Sequence, residues 1–211
     1  TGASGFIGGH LASALAQAPQ PWQLRLVGRS AAHLPDCAGA THHTISAIDT
    51  STDWSSLLGG VDVVVHAAAR VHVLHDTAPD ALAQYRRTNT EGTLRLAEQA
   101  AAAGVKRLVF LSTIGIHGAG QHRPYQEDDA PAPHSPYAQS KLDAERGLLA
   151  LAARTGLEVV LIRPPLVYGP DAPGNFARLA GIVRRGLPLP LGSVRNRRSL
   201  VAITNLVSFI Q

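Results

Sequence analysis

The sequence predicts a doubly wound α/β fold, a parallel sheet with helices on both faces, and three observations carry that expectation. Short apolar runs bounded by turn residues alternate along the chain with longer stretches of helical periodicity. Two of the runs, Val61-Asp62-Val63-Val64-Val65 and Leu108-Val109-Phe110-Leu111, are apolar almost without interruption, as strands covered on both faces require. Gly2, Gly5 and Gly8 form a G-x-x-G-x-x-G turn that runs into Leu11 and Leu15, in helical phase with Ile7.

Taken in order, helices are expected over 6–17, 79–103 and 136–155, and strands over 24–27, 44–48, 61–67, 107–112 and 159–163. The last helix has the clearest start, because Ser135-Pro136 supplies an N-cap and a proline at the first helical position. Proline marks 17–21 and 130–133 as loops. From Gly169 onward the texture changes to Pro, Gly and Arg with short apolar pieces, so the chain divides into a main domain over 1–168 and the start of a small C-terminal lobe over 169–211. The glycine turn should follow a strand, whereas the chain lacks methionine and opens on Thr1, so a first strand preceding Thr1 is expected as well.

Composition narrows the class. With 45% hydrophobic and 16% charged residues among 211, the chain reads as globular. No apolar run approaches the roughly 18 to 20 residues of a membrane span, and no signal-like start appears, which points to the cytoplasm and away from a membrane. Cys37 is alone, so an internal disulfide is excluded. His42-His43 and His72-x-x-His75 do not make a metal set, and no metal is expected. Arg184, Arg185, Arg195, Arg197 and Arg198 lack interleaved aromatics, so a diphosphate site plus solvated surface explains them better than nucleic acid.

The chemistry-bearing residues begin with the glycine turn, whose backbone can approach a pyrophosphate at a helix N-terminus. After the next strand, Gly28-Arg29 stands where a carboxylate would select the ribose hydroxyls of NAD; Arg29 suits the 2′-phosphate of NADP, a solvated arginine being the alternative. Ile48 and the small residues Ala67, Ala68 and Ala69 end strands where a flat adenine or ribose can lie. Tyr137 and Lys141 are four apart and share a helix face, about 25 residues after Ser112-Thr113 at the ligand-binding edge of the sheet. Lowering a tyrosine pKa by three units takes about 4 kcal/mol, and a cation about 5 Å away supplies about 3 kcal/mol at an effective dielectric near 20. Only two of the 19 cationic residues are lysine, and a compact ammonium suits such a site better than a guanidinium.

The set Thr1 to Gly8, His66-Ala67-Ala68-Ala69, Asn89-Thr90-Glu91-Gly92-Thr93, Phe110-Leu111-Ser112-Thr113, Ser135 to Lys141 and Arg163 to Pro170 resembles the extended short-chain dehydrogenase/reductases, in particular UDP-glucose 4-epimerase-like members of the epimerase/dehydratase family. The resemblance implies a Rossmann-like fold binding NAD or NADP through Gly2, Gly5, Phe6, Ile7, Gly8, Arg29, Ile48, Ala67, Ala68, Ala69, Asn89, Ser112, Tyr137, Lys141, Pro164 and Leu166. It implies Tyr137 as acid/base, Lys141 as the lysine that binds ribose and lowers the phenol pKa, and Thr113 as the hydroxyl on the reacting oxygen. Asn175 and Arg198 would meet the phosphates of a nucleotide sugar, UDP-linked by resemblance, and the likeness admits a homodimer. The implied reaction is epimerisation by hydride transfer at sugar C4. An NADP-dependent reductase of nucleotide 4-keto-6-deoxysugars and a non-catalytic NAD(P)-binding regulator are the alternatives. Ile114-Gly115 after Thr113, in place of Asp-Glu, argues against a dehydratase.

Overall fold

The computed structural model describes residues 1–20, 22–71, 80–120, 123–186, 188–189, 192–195 and 197–211, the side chains of Asn175 and Ala177 excepted. His72 and His75 lie outside the described residues. Helix α1 (Phe6–Ala16) leads to strands β1 (Arg25–Gly28) and β2 (Thr41–Thr44), the short α2 (Ser55–Leu58) and β3 (Val63–His66). A long helical segment follows as α3 (Ala81–Tyr85), a π-helical turn (Arg86–Glu91) and α4 (Gly92–Ala102). Then come β4 (Arg107–Leu111), a 3-10 turn (Ile114–His117), α5 (Pro136–Thr155), β5 (Glu158–Ile162), β6 (Leu166–Tyr168), α6 (Asn175–Arg184), β7 (Leu200–Ala202) and α7 (Ile203–Ile210). Among the described residues, no helix is long and apolar enough to cross a membrane.

Among the described residues every strand pairing is parallel: β1 with β2, β3 with β4, β4 with β5, and β6 with β7. Thr1 and Gly2 lie between β1 and β3. The Gly2 N–H donates to Val27 O at 3.1 Å, and the Ala67 N–H donates to Thr1 O at 3.1 Å. From this point the chain first builds β1 and β2 on one side and later β3, β4 and β5 on the other, which is the topological switch point of a doubly wound sheet. The backbone groups of Thr1 and Gly2 join the two halves.

Strand β4 shows why its apolar run is unbroken. Leu108 and Phe110 point into a core with Leu96, Ala97, Ala100, Ala144 and Leu148 of α4 and α5. The alternate residues Val109 and Leu111 pack on the opposite face with Ile162 and Leu206, and α1 and α7 meet there through Leu11, Ile203 and Val207. Two helical layers therefore enclose one sheet, and the period-2 strand geometry divides the apolar residues between them.

Helix α5 matches its expected span. The Ser135 hydroxyl accepts from the Ala138 N–H at 3.2 Å, and Gly156, at φ +77°, ends the helix in the left-handed region. Strand β2 departs from expectation, forming at Thr41–Thr44 rather than 44–48. It is an edge strand with mostly exposed side chains, so apolarity does not mark it. Ile45 and Ile48, which suggested the later span, follow the strand and pack against the main core, the Ile45 N–H still donating to Gly28 O of β1 at 3.0 Å. The expected helix over 79–103 is divided by its π-helical turn. The boundary expected after Tyr168 falls at the end of β6, but β7 returns to pair with β6 and α7 packs on α1.

Candidate active site

Helix α1 starts on Gly5, which has no side-chain cap. The first N–H groups of a helix have no intrahelical partner, so this end presents bare donors and a partial positive charge. The glycines around it are fixed by packing. A Cβ on Gly2, at φ +76°, would lie 2.5 Å from Ala68 N, and a Cβ on Gly8 would collide with Gly2 O. At Gly5 a Cβ would sit 3.3 Å from Gly2 O, a tight but less severe approach. The glycine loop and the 67–69 turn are thus pressed together, and both stand where the sequence expects a dinucleotide. Ile7 itself serves the core with Val65, Ala67 and Val167, and Phe6 stacks edge-on against His10. Phe6 is half-buried and lines the cavity beside Ser4 and Gly5.

Arg29 is exposed directly after β1. Ile48 lies against Gly92, where a Cβ would come within 2.7 Å of its side chain. Next to it, Asp49 is 5% exposed; its carboxyl is pulled down to about 2 by hydrogen bonding from Ser51 and Arg87, against the effect of burial. Pro164 O accepts from the Ile114 N–H at 3.1 Å, tying the turn after β5 to the one after β4, and Leu166 is exposed in β6. Arg198 is exposed just before β7, and Asn175 opens α6, its side chain lying outside the described residues.

Thr113 caps the 3-10 turn, its Oγ1 accepting from the Gly115 N–H at 3.1 Å. Among the described residues its hydroxyl hydrogen has no acceptor. Ser112 is buried, and its Oγ has no hydrogen-bond partner among the described residues. Tyr137, in the first turn of α5, meets Tyr85 edge-on with ring centroids 6.2 Å apart. Lys141 is 1% exposed and donates from Nζ to Leu111 O at 2.7 Å, pinning α5 to the end of β4.

The expected electrostatic relation between this tyrosine and lysine is not what the structure holds. Burial first, and Tyr85 second, push the Tyr137 phenol up to about 12. Burial pulls the Lys141 amine down to about 7, with Glu145 acting the other way. The i, i+4 spacing does put both residues on one helix face, but the flexible lysine stem carries its ammonium to a backbone carbonyl.

Asn89 stands in the π-helical turn and is 1% exposed. Its Oδ1 accepts from the Arg70 N–H at 2.8 Å, and its Nδ2 donates to Arg70 O and to Ser140 Oγ, both at 3.0 Å. Ser140 in turn donates to Tyr137 O at 2.8 Å. One amide therefore links the turn after β3 to the first turn of α5. Ser140 escaped the sequence reading because a helical serine beside a lysine carries no signal by itself. The Glu145–Arg163 ion pair, 2.8 Å between Oε2 and Nη2, was missed for the same reason. Arg163 also donates to Glu127 O at 3.0 Å, tying the loop before α5 to the end of β5.

A family model described as NAD dependent epimerase/dehydratase family matches residues 1–211. A UDP-glucose 4-epimerase of Vibrio cholerae is 41% identical over 213 aligned residues, covering 100% of this chain and 64% of that protein. A solved structure of MoeE5 in complex with UDP-glucuronic acid and NAD superposes with a TM-score of 0.81 at 33% identity, over 99% of this chain and 69% of that one. A UDP-glucuronic acid 4-epimerase from Bacillus cereus, in complex with NAD, gives 0.80 at 26% identity over 98% of this chain and 70% of its own. This chain spans somewhat under two thirds of the length of the curated relatives it matches, 64% and 61% for the first two.

Proposed function

The chain belongs to the NAD dependent epimerase/dehydratase family, and from that premise we propose that it is the greater part of an NAD-dependent nucleotide-sugar 4-epimerase acting on a UDP-linked hexose. The observation that carries the reading is the bond from Lys141 Nζ to Leu111 O. It joins the helix of Tyr137 to the strand end of Ser112 and Thr113, at the edge of the sheet where doubly wound folds take ligands. The residues present fit a dinucleotide: an uncapped helix N-terminus behind a close-packed glycine loop suits its pyrophosphate, and the orphaned Ser112 Oγ and buried Lys141 suit its polar groups.

In this reading a bound nicotinamide dinucleotide supplies reversible hydride acceptance at sugar C4. Tyr137 moves the proton of the C4 oxygen. A phenol near 12 is poised to donate, so the deprotonating direction needs additional positive charge close to Tyr137 in the loaded site. Thr113 donates its hydroxyl hydrogen to the same oxygen while Gly115 N–H fixes the oxygen of the hydroxyl. Asn89 and Ser140 hold the backbone on either side in register. Arg198, with Asn175, is assigned to the diphosphate of the substrate, and 169–211 to the beginning of a substrate lobe.

An NADP-dependent 4-keto-sugar reductase is the second reading, favoured by one feature, the exposed Arg29 in place of an acid after β1. The two are separated by purifying the protein, releasing and identifying its cofactor, and assaying UDP-hexoses without added reductant and nucleotide 4-keto-6-deoxysugars with added NADPH. Interconversion of C4 epimers without added reductant supports the epimerase. Turnover only in step with NADPH consumption assigns the reductase, and inertness toward both substrate classes refutes the enzymatic reading.

A further inference from the structure

Lys141 has a second neighbour besides the Leu111 carbonyl. Its Nζ sits over the ring of Phe110, 4.3 Å from the centroid, and Phe110 is fully buried in the last inward position of β4. The Phe110 ring is itself held, with His66 stacked at 5.9 Å and 15° between planes. The imidazole of His66 is fixed between the Thr1 hydroxyl at 2.6 Å and the Thr93 hydroxyl at 3.0 Å.

We propose that Phe110 is a positioning residue whose ring face keeps the Lys141 ammonium charged and fixed at the end of β4. This inference rests on the reading of Lys141 as the lysine of the active site. The physical ground is the quadrupole of the ring, negative on its face, which attracts a cation within about 6 Å and does so most strongly where water is excluded. Lys141 meets both conditions. An apolar side chain of similar size would fill the core position equally well, as Leu108 does one step earlier on the same face, but it would offer the ammonium nothing.

The charge balance around Lys141 gives such a contribution weight. Burial draws the amine down to about 7, so at neutral pH the group stands near its midpoint. Glu145, one turn further along α5, favours the ammonium, although its carboxylate is already engaged by Arg163. Tyr137, one turn back, has its phenol pushed up and stays neutral, and His66 in β3 is kept neutral by burial and by Lys141 itself. A ring contact that shifts the ammonium-to-amine ratio by about tenfold, one pH unit, takes a lysine near its midpoint to about nine-tenths charged.

The sequence allows a direct test because it contains just two lysines, Lys106 and Lys141. Lysine carrying carbon-13 at Cε gives two signals by NMR, and the Lys141 signal is identified by its loss in Lys141→Arg. The titration midpoint of Lys141 is then measured in protein with Phe110 replaced by its mono-, di- and trifluorinated analogues, which withdraw electron density stepwise while nearly preserving shape. The expected result is a progressive fall of the Lys141 midpoint by about one pH unit across the series, with Lys106 unmoved. Phe110→Leu, if it folds, should lower the midpoint at least as far. An unchanged Lys141 midpoint in the folded fluorinated proteins overturns the inference. The parallel arm is Lys141→Met, assayed for NAD retention and turnover. Loss there with no fluorine effect removes only the role of Phe110, whereas unchanged retention and turnover in Lys141→Met removes the active-site lysine on which the inference stands.

Discussion

Replacing Asn89 with alanine should unfasten the link between the turn after β3 and helix α5. The side chain is 1% exposed and makes three hydrogen bonds, to Arg70 N, Arg70 O and Ser140 Oγ. At about 1 kcal/mol net for each, the upper expectation is about 3 kcal/mol. The Arg70 backbone is only partly buried and can recover some of its loss from water, while Ser140 is fully buried and cannot. A destabilisation of about 2 to 3 kcal/mol follows, or a fall of about 5 to 10 °C in Tm for a domain of this size. Urea unfolding of Asn89→Ala, Ser140→Ala and the double variant measures it, and the cycle should return a coupling of about 1 kcal/mol between the two side chains. A loss within about 0.5 kcal/mol of wild type, or strict additivity in the cycle, would refute the reasoning.

Tyr137→Phe should keep folding and cofactor retention while lowering turnover at least about a hundredfold, and Thr113→Val about tenfold, one hydrogen bond in the transition state; near-normal turnover in Tyr137→Phe removes the proposed acid/base. Arg29→Ala should weaken NADP binding about ten- to hundredfold and NAD binding little, as titration calorimetry with both cofactors would report; equal losses make Arg29 a solvated surface residue. Asp49 titrates near 2 in the fold, against about 3.9 for an unfolded chain, so its contribution to stability is present above about pH 4 and lost as pH falls through about 2. Urea midpoints should accordingly drop more steeply with acid in the wild type than in Asp49→Asn, and parallel profiles would show that Ser51 and Arg87 do not act through its charge.

The sequence made the sheet legible where both faces are buried and the caps legible where side chains act locally. The Leu108 to Leu111 run announced β4, and Ser135-Pro136 announced the start of α5. It hid β2, because an edge strand made of Thr and His residues with little burial has no apolar pattern to read. Of the candidate site, the glycine loop, Thr113, Tyr137 and Lys141 were readable as residue types at meaningful spacing. The direction taken by a side chain was not. The i, i+4 rule puts Lys141 beside Tyr137 on a helix surface, yet says nothing of a carbonyl and a ring waiting at the end of another strand. Ser140, Phe110 and Glu145 were invisible for the same reason, since their partners lie 18 to 51 positions away along the chain.

The π-helical turn over Arg86–Glu91 sets the relative rotation of the two halves of its helix. An α-helix advances about 100° per residue, and a π-turn accommodates one residue more than an α-turn in the same rise. Before the turn, Tyr85 faces Tyr137; after it, Leu96, Ala97 and Ala100 face the core of the sheet. The extra residue is what lets one continuous helix meet both obligations while Asn89 points between them. Straightening the segment into a uniform α-helix with all its residues kept would turn one half by about 100°, either drawing Tyr85 off Tyr137 or rolling the apolar face of α4 toward solvent, whereas deleting one residue from 86 to 88 would turn the π-turn into an α-turn and leave both halves in their present phase. Substitutions at most positions of this segment change one contact each, whereas loss of the π-turn at unchanged length resets the phase of every side chain beyond it.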